Sequence, residues 1–533
     1  MANWQIPEGI TGEENFLRFR PSIAAARERS CPLRLALKVR PDLARDRPLY
    51  RDRPDYSMGP FHNVLDRMEL DGEPEVLALS QGLQQGRKPV HPALARWTEH
   101  AVRQYLNSVK DSAHLEPVSR DWVRRLDTSH DGIPVVHEET VTGRRFEKDR
   151  VRELRILRMG SVEDRPRNEP EIALAAAVLA EARPALSKLW KKGPATLGRS
   201  ERPHQVRVVE IGCLDGTANV LFDDTPEAAI HKYQREAEEL LRAVAAGNVR
   251  RPGTDCAECP LIDMCPAVPS IEGLLGVNDA SKPLRTWSLT TTRQHRKCGP
   301  IPYYRDLKLP RDGSAEQSPA VERGHAVHEW IEVKHLRSPQ QACRADDVPD
   351  LTRDERFAED TLQAKLGMRM IGDHSLVCPF RDAGQEMEVY PEHPIVVYDP
   401  AAQVVVIDKV DLLYLSEGVW RLRETKTSRY LFEGDLLKKF PQIALAIVLS
   451  AEGALGGGNA GCRVELERLT ANGPVLTEFD VHNSELVAEA RKVIQAEVAG
   501  WHSDLARATK PGKECRTCVF TRWCPDAKMR SGS

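Results

Sequence analysis

Residues 404–428 read VVVIDKVDLLYLSEGVWRLRETKTS. One apolar run ends in Asp408. A turn follows at Ser416, Glu417 and Gly418, and a second run ends in Glu424-Thr425-Lys426-Thr427. Apolar, β-branched stretches on either side of a glycine-containing turn predict a hairpin. Successive strand residues face opposite ways, so Glu424 and Lys426 share a face. Asp408, ending the neighbouring strand, is expected to reach the same spot. Asp411 is a further acid there, and Asp408 is favoured because it follows the apolar run directly. Two carboxylates suit a hard cation such as Mg²⁺ or Mn²⁺. Such an ion polarises a phosphate and activates water, and a lysine beside it stabilises charge on the phosphate oxygens. Taken alone, the triplet is equally what a solvated hairpin would carry, so its meaning depends on its surroundings.

Those surroundings repeat. Residues 251–266 read RPGTDCAECPLIDMCP and residues 510–525 read KPGKECRTCVFTRWCP. Both are basic-Pro-Gly-x-acidic-Cys-x2-Cys-x5-Cys-Pro. A lone cysteine precedes each triplet by about 220 residues, Cys31 in one half and Cys298 in the other. His62 matches His328, PEIALAAAVLA at 170–180 matches PQIALAIVLSA at 441–451, and residues 206–224 share the strand-turn-strand pattern of 462–480. The same landmarks in the same order predict a tandem duplication. The first copy spans residues 1–266, the linker 267–286 and the second copy 287–533. Segment 338–356 reads as an exposed insertion and segment 454–461 as a flexible loop.

A chain of 533 residues is too long for one core. With 29% charged and 41% hydrophobic residues it has the composition of a soluble globular protein. The net charge of −3 excludes a globally basic nucleic-acid binder and leaves only local basic surfaces. No apolar run is long enough to span a bilayer, and residues 1–15 lack the pattern of a signal peptide. A cytoplasmic location with no membrane partner is therefore expected. Clustered cysteines in such a chain suggest metal rather than disulfides. Cys213, Cys343, Cys378 and Cys462 have no partners at ligand spacing and are read as ordinary thiols.

Gly324-x3-His328, Ile407-Asp408-Lys409-Val410-Asp411, Glu424-x-Lys426-Thr427 and Gln442 together resemble the RecB-type branch of the PD-(D/E)xK nuclease superfamily. One cysteine before this core and Cys-x2-Cys-x5-Cys after it resemble its iron–sulfur members, the AddB-type subunits and CRISPR spacer-acquisition nucleases. The resemblance implies an α/β fold of two tandem restriction-endonuclease-like domains, each a central mixed sheet flanked by helices and stapled by a four-cysteine cluster. It implies metal ligation by His328, Asp408, Glu424 and the Thr425 carbonyl, with Lys426 catalytic and Gln442 supporting. It further implies two 4Fe-4S clusters, on Cys31, Cys256, Cys259, Cys265 and on Cys298, Cys515, Cys518, Cys524, with zinc as the alternative. Ala446 departs from the pattern, where the family usually has tyrosine.

In the first copy Leu157 and Met159 stand at the Glu424 and Lys426 positions, and Glu171 stands at that of Gln442. That copy is expected to be catalytically dead, and Glu138, Glu139 and Asp149 are the acids available to rescue it. The implied activity is metal-dependent DNA cleavage in repair, recombination or defence. A silent iron–sulfur DNA-binding or scaffold subunit is the alternative. No Gly-x4-Gly-Lys-Ser/Thr loop occurs, so any helicase or ATPase is expected to be a separate chain. Arg152, Arg155 and Arg158, with Lys191 and Lys192 beside Trp190, are the candidate DNA-backbone contacts.

Overall fold

The computed structural model describes residues 4–527 except 26–29, 53–55, 86–87, 111–114, 131–132, 191, 312–317, 338–340, 382–387 and 456–461. Lys191 and most of the expected loop at 454–461 therefore lie outside the described residues. No described helix is long and apolar enough to cross a membrane.

The first half contains helices α1 (Gly59–Glu69) and α2 (Pro92–Ser108) and strands β1 (Arg144–Lys148) and β2 (Val151–Arg158). Helix α3 (Glu169–Glu181) and strands β3 (Gln205–Gly212) and β4 (Ala218–Asp224) follow. The second half contains helices α4 (Leu289–Lys297), α5 (Pro319–Arg337) and α6 (Thr361–Val377). Strands β5 (Val389–Asp399), β6 (Val404–Ser416) and β7 (Val419–Thr427) come next. Helix α7 (Pro441–Ala451), strands β8 (Cys462–Thr470) and β9 (Gly473–Phe479), and helix α8 (Ser484–Ser503) complete it.

The second-half sheet is mixed. Strands β6, β7, β8 and β9 lie side by side, β7 and β8 are parallel, and β5 adds to β6. The β6–β7 hairpin turns on Glu417 and Gly418, both at positive φ (53° and 75°). This is the backbone that a two-residue turn needs to follow strand twist, and the glycine supplies half of it without strain. The chain then crosses to β8 through α7, whose run from Ile443 to Ser450 is buried throughout. A helix apolar all round belongs in an interior, and α7 packs with α8 against Val397, Val404, Val406, Leu422, Val464 and Leu466. Helices α5 and α6 share a second core with Leu469, the end of β8. The sheet thus lies between two helical layers.

Part of the first half has the same order. Strands β1 and β2 form a hairpin turning on Asp149 and Arg150, both at positive φ. Helix α3, buried from Glu171 to Ala180, crosses to β3, which is parallel to β2, and β4 pairs antiparallel with β3. The expectation of a single central sheet is corrected here, because strands 16–19, 122–130, 133–140 and 183–184 form a separate four-stranded sheet. Its Glu138 and Glu139 are fully buried and bound by Arg18, Arg125 and Arg124. Carboxylates neutralised in this way offer a metal nothing.

The halves interlock through their cysteine segments. Cys256, Ile262 and Val268 pack on Val396, Tyr398 and Val405 of the second-half sheet. Phe520 and Trp523 pack with Phe61 and Trp97 of the first half, and Arg96 donates to the Cys524 carbonyl at 2.6 Å. The expected linker is part of this packing: Leu274 and Leu275 are buried in the second-half core, anchored by backbone N–H bonds from Gly273 and Leu275 to Asp399.

Candidate active site

The site forms where β6 and β7 part. Their ladder runs from Ser416–Val419 to Leu412–Arg423 and stops, while β7 stays paired to β8 through Thr427. The β5–β6 ladder also skips Asp411, opposite Glu392 at positive φ. Continuing the β6–β7 register puts Asp411 across from Glu424, on the face that Glu424 and Lys426 share. The Thr425 N–H donates to Asp411 Oδ2 at 2.8 Å. His328 Nδ1 lies 3.6 Å from Asp411 Oδ1. Gly324, one turn earlier on α5, lets the helix come close to β7, because a Cβ there would meet Thr427 Oγ1 at 3.2 Å.

Lys426 Nζ donates to Glu424 Oε1 at 2.5 Å and to the Thr425 carbonyl at 3.1 Å, and lies 3.8 Å from Asp411 Oδ2. Asp411, set second to Asp408 by the sequence, makes the direct contacts here, and Asp408 belongs to the same carboxylate cluster. Val404, Val406, Val410 and Leu413 all enter the α7–α8 core with Leu422, so alternation breaks between Val410 and Leu413 and Asp408 stays on the Glu424 side; its Oδ1 accepts from the Lys409 N–H at 2.9 Å. Its carboxylate still feels Lys426 and Asp411, and also Arg293 of α4, a cation the sequence reasoning missed.

The electrostatics are those of too many carboxylates in too little water. Burial, then the Asp411 charge, pushes Glu424 up to about 7. Burial also pushes Asp408 up to about 6. Burial works against ionisation of Asp411 too, yet hydrogen bonding with His328 and the Lys426 charge hold it below the usual carboxylate range. His328 is the counterpart: burial disfavours its charge, but Asp411 outweighs burial and raises it. Gln442 lies in the first turn of α7, half-buried.

Both cysteine quartets converge. Cys31, Cys256, Cys259 and Cys265 line one small cavity, and the thiols of Cys515, Cys518 and Cys524 act electrostatically on Cys298. Burial first, then the neighbouring thiols, pushes Cys256 up to about 11 and raises Cys298 as well. The Arg251 N–H donates to Cys31 Sγ at 3.4 Å, and the Lys510 N–H to Cys298 Sγ at 3.2 Å. These are matching positions of the two Pro-Gly segments.

Residues 286–525 match the sequence model of the PD-(D/E)XK nuclease superfamily. They form a PD-(D/E)XK nuclease superfamily domain. No curated protein sequence matches the chain. Among solved structures, one described as "Crystal structure of SSO0001" is 15% identical over 38% of this chain and 95% of its own, with a TM-score of 0.18, too low to support an assignment. The nuclease-superfamily domain contains the whole constellation from His328 to Gln442.

The expectation that Arg152, Arg155 and Arg158 face DNA is corrected. Arg152 is 1% exposed and bonds the Leu179 and Ala182 carbonyls; Arg155 is 3% exposed and bonds Glu153 and Tyr105. Arg158 is taken up by Glu171 and Glu210. Lys192 and Trp190 are exposed. Cys343 and Cys378 are not ordinary thiols either. They are buried beside His335 and His374, although the segment carrying Cys343 reads as an exposed loop. His374-x3-Cys378, one helical turn apart, is the signal that would have found them.

Proposed function

We propose that the second-half domain is a Mg²⁺- or Mn²⁺-dependent deoxyribonuclease acting on DNA ends or single strands. One observation carries the reading: Lys426 is gripped by Glu424 and the Thr425 carbonyl, with Asp411 and His328 beside them. Three of the four groups suited to a divalent cation already converge on one positive charge. His328, Asp411, Glu424 and the Thr425 carbonyl would hold the metal, with Asp408 close by; the oxygen-rich donor set fits a hard cation. When bound, the ion supplies phosphate polarisation and water activation. Lys426 faces the scissile phosphate and stabilises charge on its oxygens. Asp411 orients His328 and, through the Thr425 N–H, the β7 backbone. Gln442 hydrogen-bonds a backbone phosphate or a water near the site, and Arg293 steadies the carboxylate cluster from α4.

The first half (residues 1–266) is a degenerate copy joined through 267–286 to the active one (287–533). The repeated hairpin-helix-strand-strand order supports this. The two cysteine quartets hold 4Fe-4S clusters, or zinc, with the paired Arg251 and Lys510 N–H···S contacts as support. Closing loops this long contributes about 5 kcal/mol on disulfide-type accounting. The protein works in the cytoplasm, in repair, recombination or defence, alongside a separate helicase or ATPase.

The test is cleavage of labelled single- and double-stranded DNA by protein purified without oxygen, with Mg²⁺ or Mn²⁺, for wild type and Lys426→Ala. Cleavage by wild type alone is expected; equal cleavage, or none by either, overturns the enzyme reading. A colourless, iron-free sample overturns the clusters. The silent DNA-binding subunit is favoured by Ala446, buried in α7 and unable to reach DNA. DNA binding without cleavage would support it.

A further inference from the structure

Four residues outside the hydrolytic set meet beneath it. His335 lies in the last turn of α5, Cys343 in the segment that follows, His374 in the last turn of α6, and Cys378 caps α6. Each is at most 4% exposed, and one ligand atom from each lies within 4.8 Å of all the others. His335 Nε2 is 3.4 Å from Cys343 Sγ and 3.9 Å from Cys378 Sγ. Zinc bond lengths in a tetrahedron require N···S edges of about 3.6 Å. His374 Nδ1 lies 2.7 Å from Glu467 Oε1, and its buried Nε2 has no hydrogen-bond partner. A carboxylate that fixes one ring nitrogen and leaves the other aimed into a cluster of thiols is the usual support of a metal-bound histidine.

We propose that His335, Cys343, His374 and Cys378 form a structural zinc site. Two nitrogens and two thiolates fill all four positions of a tetrahedron and leave none open for substrate, which marks a structural site. The site ties the ends of α5 and α6 to β8 through Glu467. Glu467 Oε2 in turn accepts from Thr425 Oγ1 at 3.0 Å, and α5 carries His328 two turns before His335. The zinc therefore braces the layer that positions the nuclease residues while standing apart from them. Deprotonated Cys343 and Cys378 and neutral imidazoles balance the charge of Zn²⁺.

The test uses the full chain purified without oxygen, with elemental analysis and X-ray absorption at the zinc edge, and needs no nuclease activity. One zinc per chain beyond any held by the cysteine quartets, with two nitrogen and two sulfur ligands, is expected. Cys343→Ser and His374→Gln should each lose that zinc and leave the metal of the two cysteine quartets unchanged. No zinc, an all-sulfur shell, zinc retained in both variants, or a Cys343–Cys378 disulfide in peptide maps would each overturn the site. If either variant fails to fold, thiol alkylation of the wild type decides. Cys343 and Cys378 should be labelled only after chelation, and equal labelling with and without chelator counts against the zinc.

Discussion

Strands β2 and β7 each close a hairpin, lead into a buried helix and pair in parallel with the strand that follows it, yet their ends are electrostatic opposites. At the end of β7, Asp408, Asp411 and Glu424 gather around Lys426 and His328. At the end of β2, Arg158 is bound by Glu171 at 2.9 Å and Glu210 at 2.6 Å, and Arg165 reaches Glu210 at 3.0 Å. Two arginines and two glutamates there are matched and closed. The helical histidines follow suit: Asp411 raises His328, whereas burial and then Arg144 push His62 down to about 4. The same strand order thus ends in one half in a carboxylate surplus that calls for a cation and in the other in a satisfied ion-pair network.

The largest expected effect separates the two ends. Lys426→Ala should lower cleavage about 10³-fold with little loss of stability. Arg158→Ala should leave cleavage unchanged. It should cost roughly 3 kcal/mol in urea unfolding, because Glu171 is left buried without a cation and Glu210 keeps only the half-exposed Arg165. Loss of cleavage in Arg158→Ala at unchanged stability would break the comparison.

The next effect lies within the active end. Asp411→Asn should lower cleavage about 10²-fold, and Asp408→Asn only about tenfold, as expected of a group acting through its neighbours. The reverse order in single-turnover rates would restore Asp408 as the principal acid.

That choice marks the boundary of what the residues alone can tell. The hairpin, its Glu417-Gly418 turn, the buried α7 and both cysteine quartets follow from local signals: period, turn chemistry, spacing. Weighing Asp411 against Asp408 needs the folded strand, because β6 breaks its alternation between Val410 and Leu413 and so brings both acids to the side of Glu424. The arginines of β2 misled for a related reason. A run of arginines on a strand looks solvated until the carboxylates opposite it are known, and Glu147, Glu153, Glu171 and Glu210 are spread over β1, β2, α3 and β3. Cys343 and Cys378 escaped because their partner His335 arrives on another helix.

A smaller effect is a pH dependence that only the β7 end should show. Folding raises Glu424 from 4.5 to about 7 and Asp408 from 3.8 to about 6. The folded protein then keeps protons the unfolded chain has lost, so these groups make it less stable as pH rises through that window. A divalent cation offsets the penalty only once both are ionised. Mn²⁺ should therefore raise the thermal midpoint more above pH 7 than below pH 6, and Glu424→Gln should flatten the difference. An Mn²⁺ shift independent of pH would mean that the ion binds elsewhere.

The smallest effect concerns where DNA touches the first half. With Arg152 and Arg155 buried, exposed cations are found instead beside Trp190, at Lys188 and Lys192, with Lys188 Nζ 5.3 Å above the ring of Trp190, itself 78% exposed. An exposed aromatic ring beside solvated cations suits a single strand, the ring stacking a base while the lysines track phosphates. Replacing both lysines with glutamate should reduce the slope of log affinity against log salt by about 2, while the rate at saturating DNA stays unchanged. Arg152→Ala should instead destabilise the fold and leave that slope alone, since its guanidinium serves the Leu179 and Ala182 carbonyls. An unchanged slope in the lysine variant would confine DNA binding to the β7 half, and the first half would then serve only as the body on which the second is mounted.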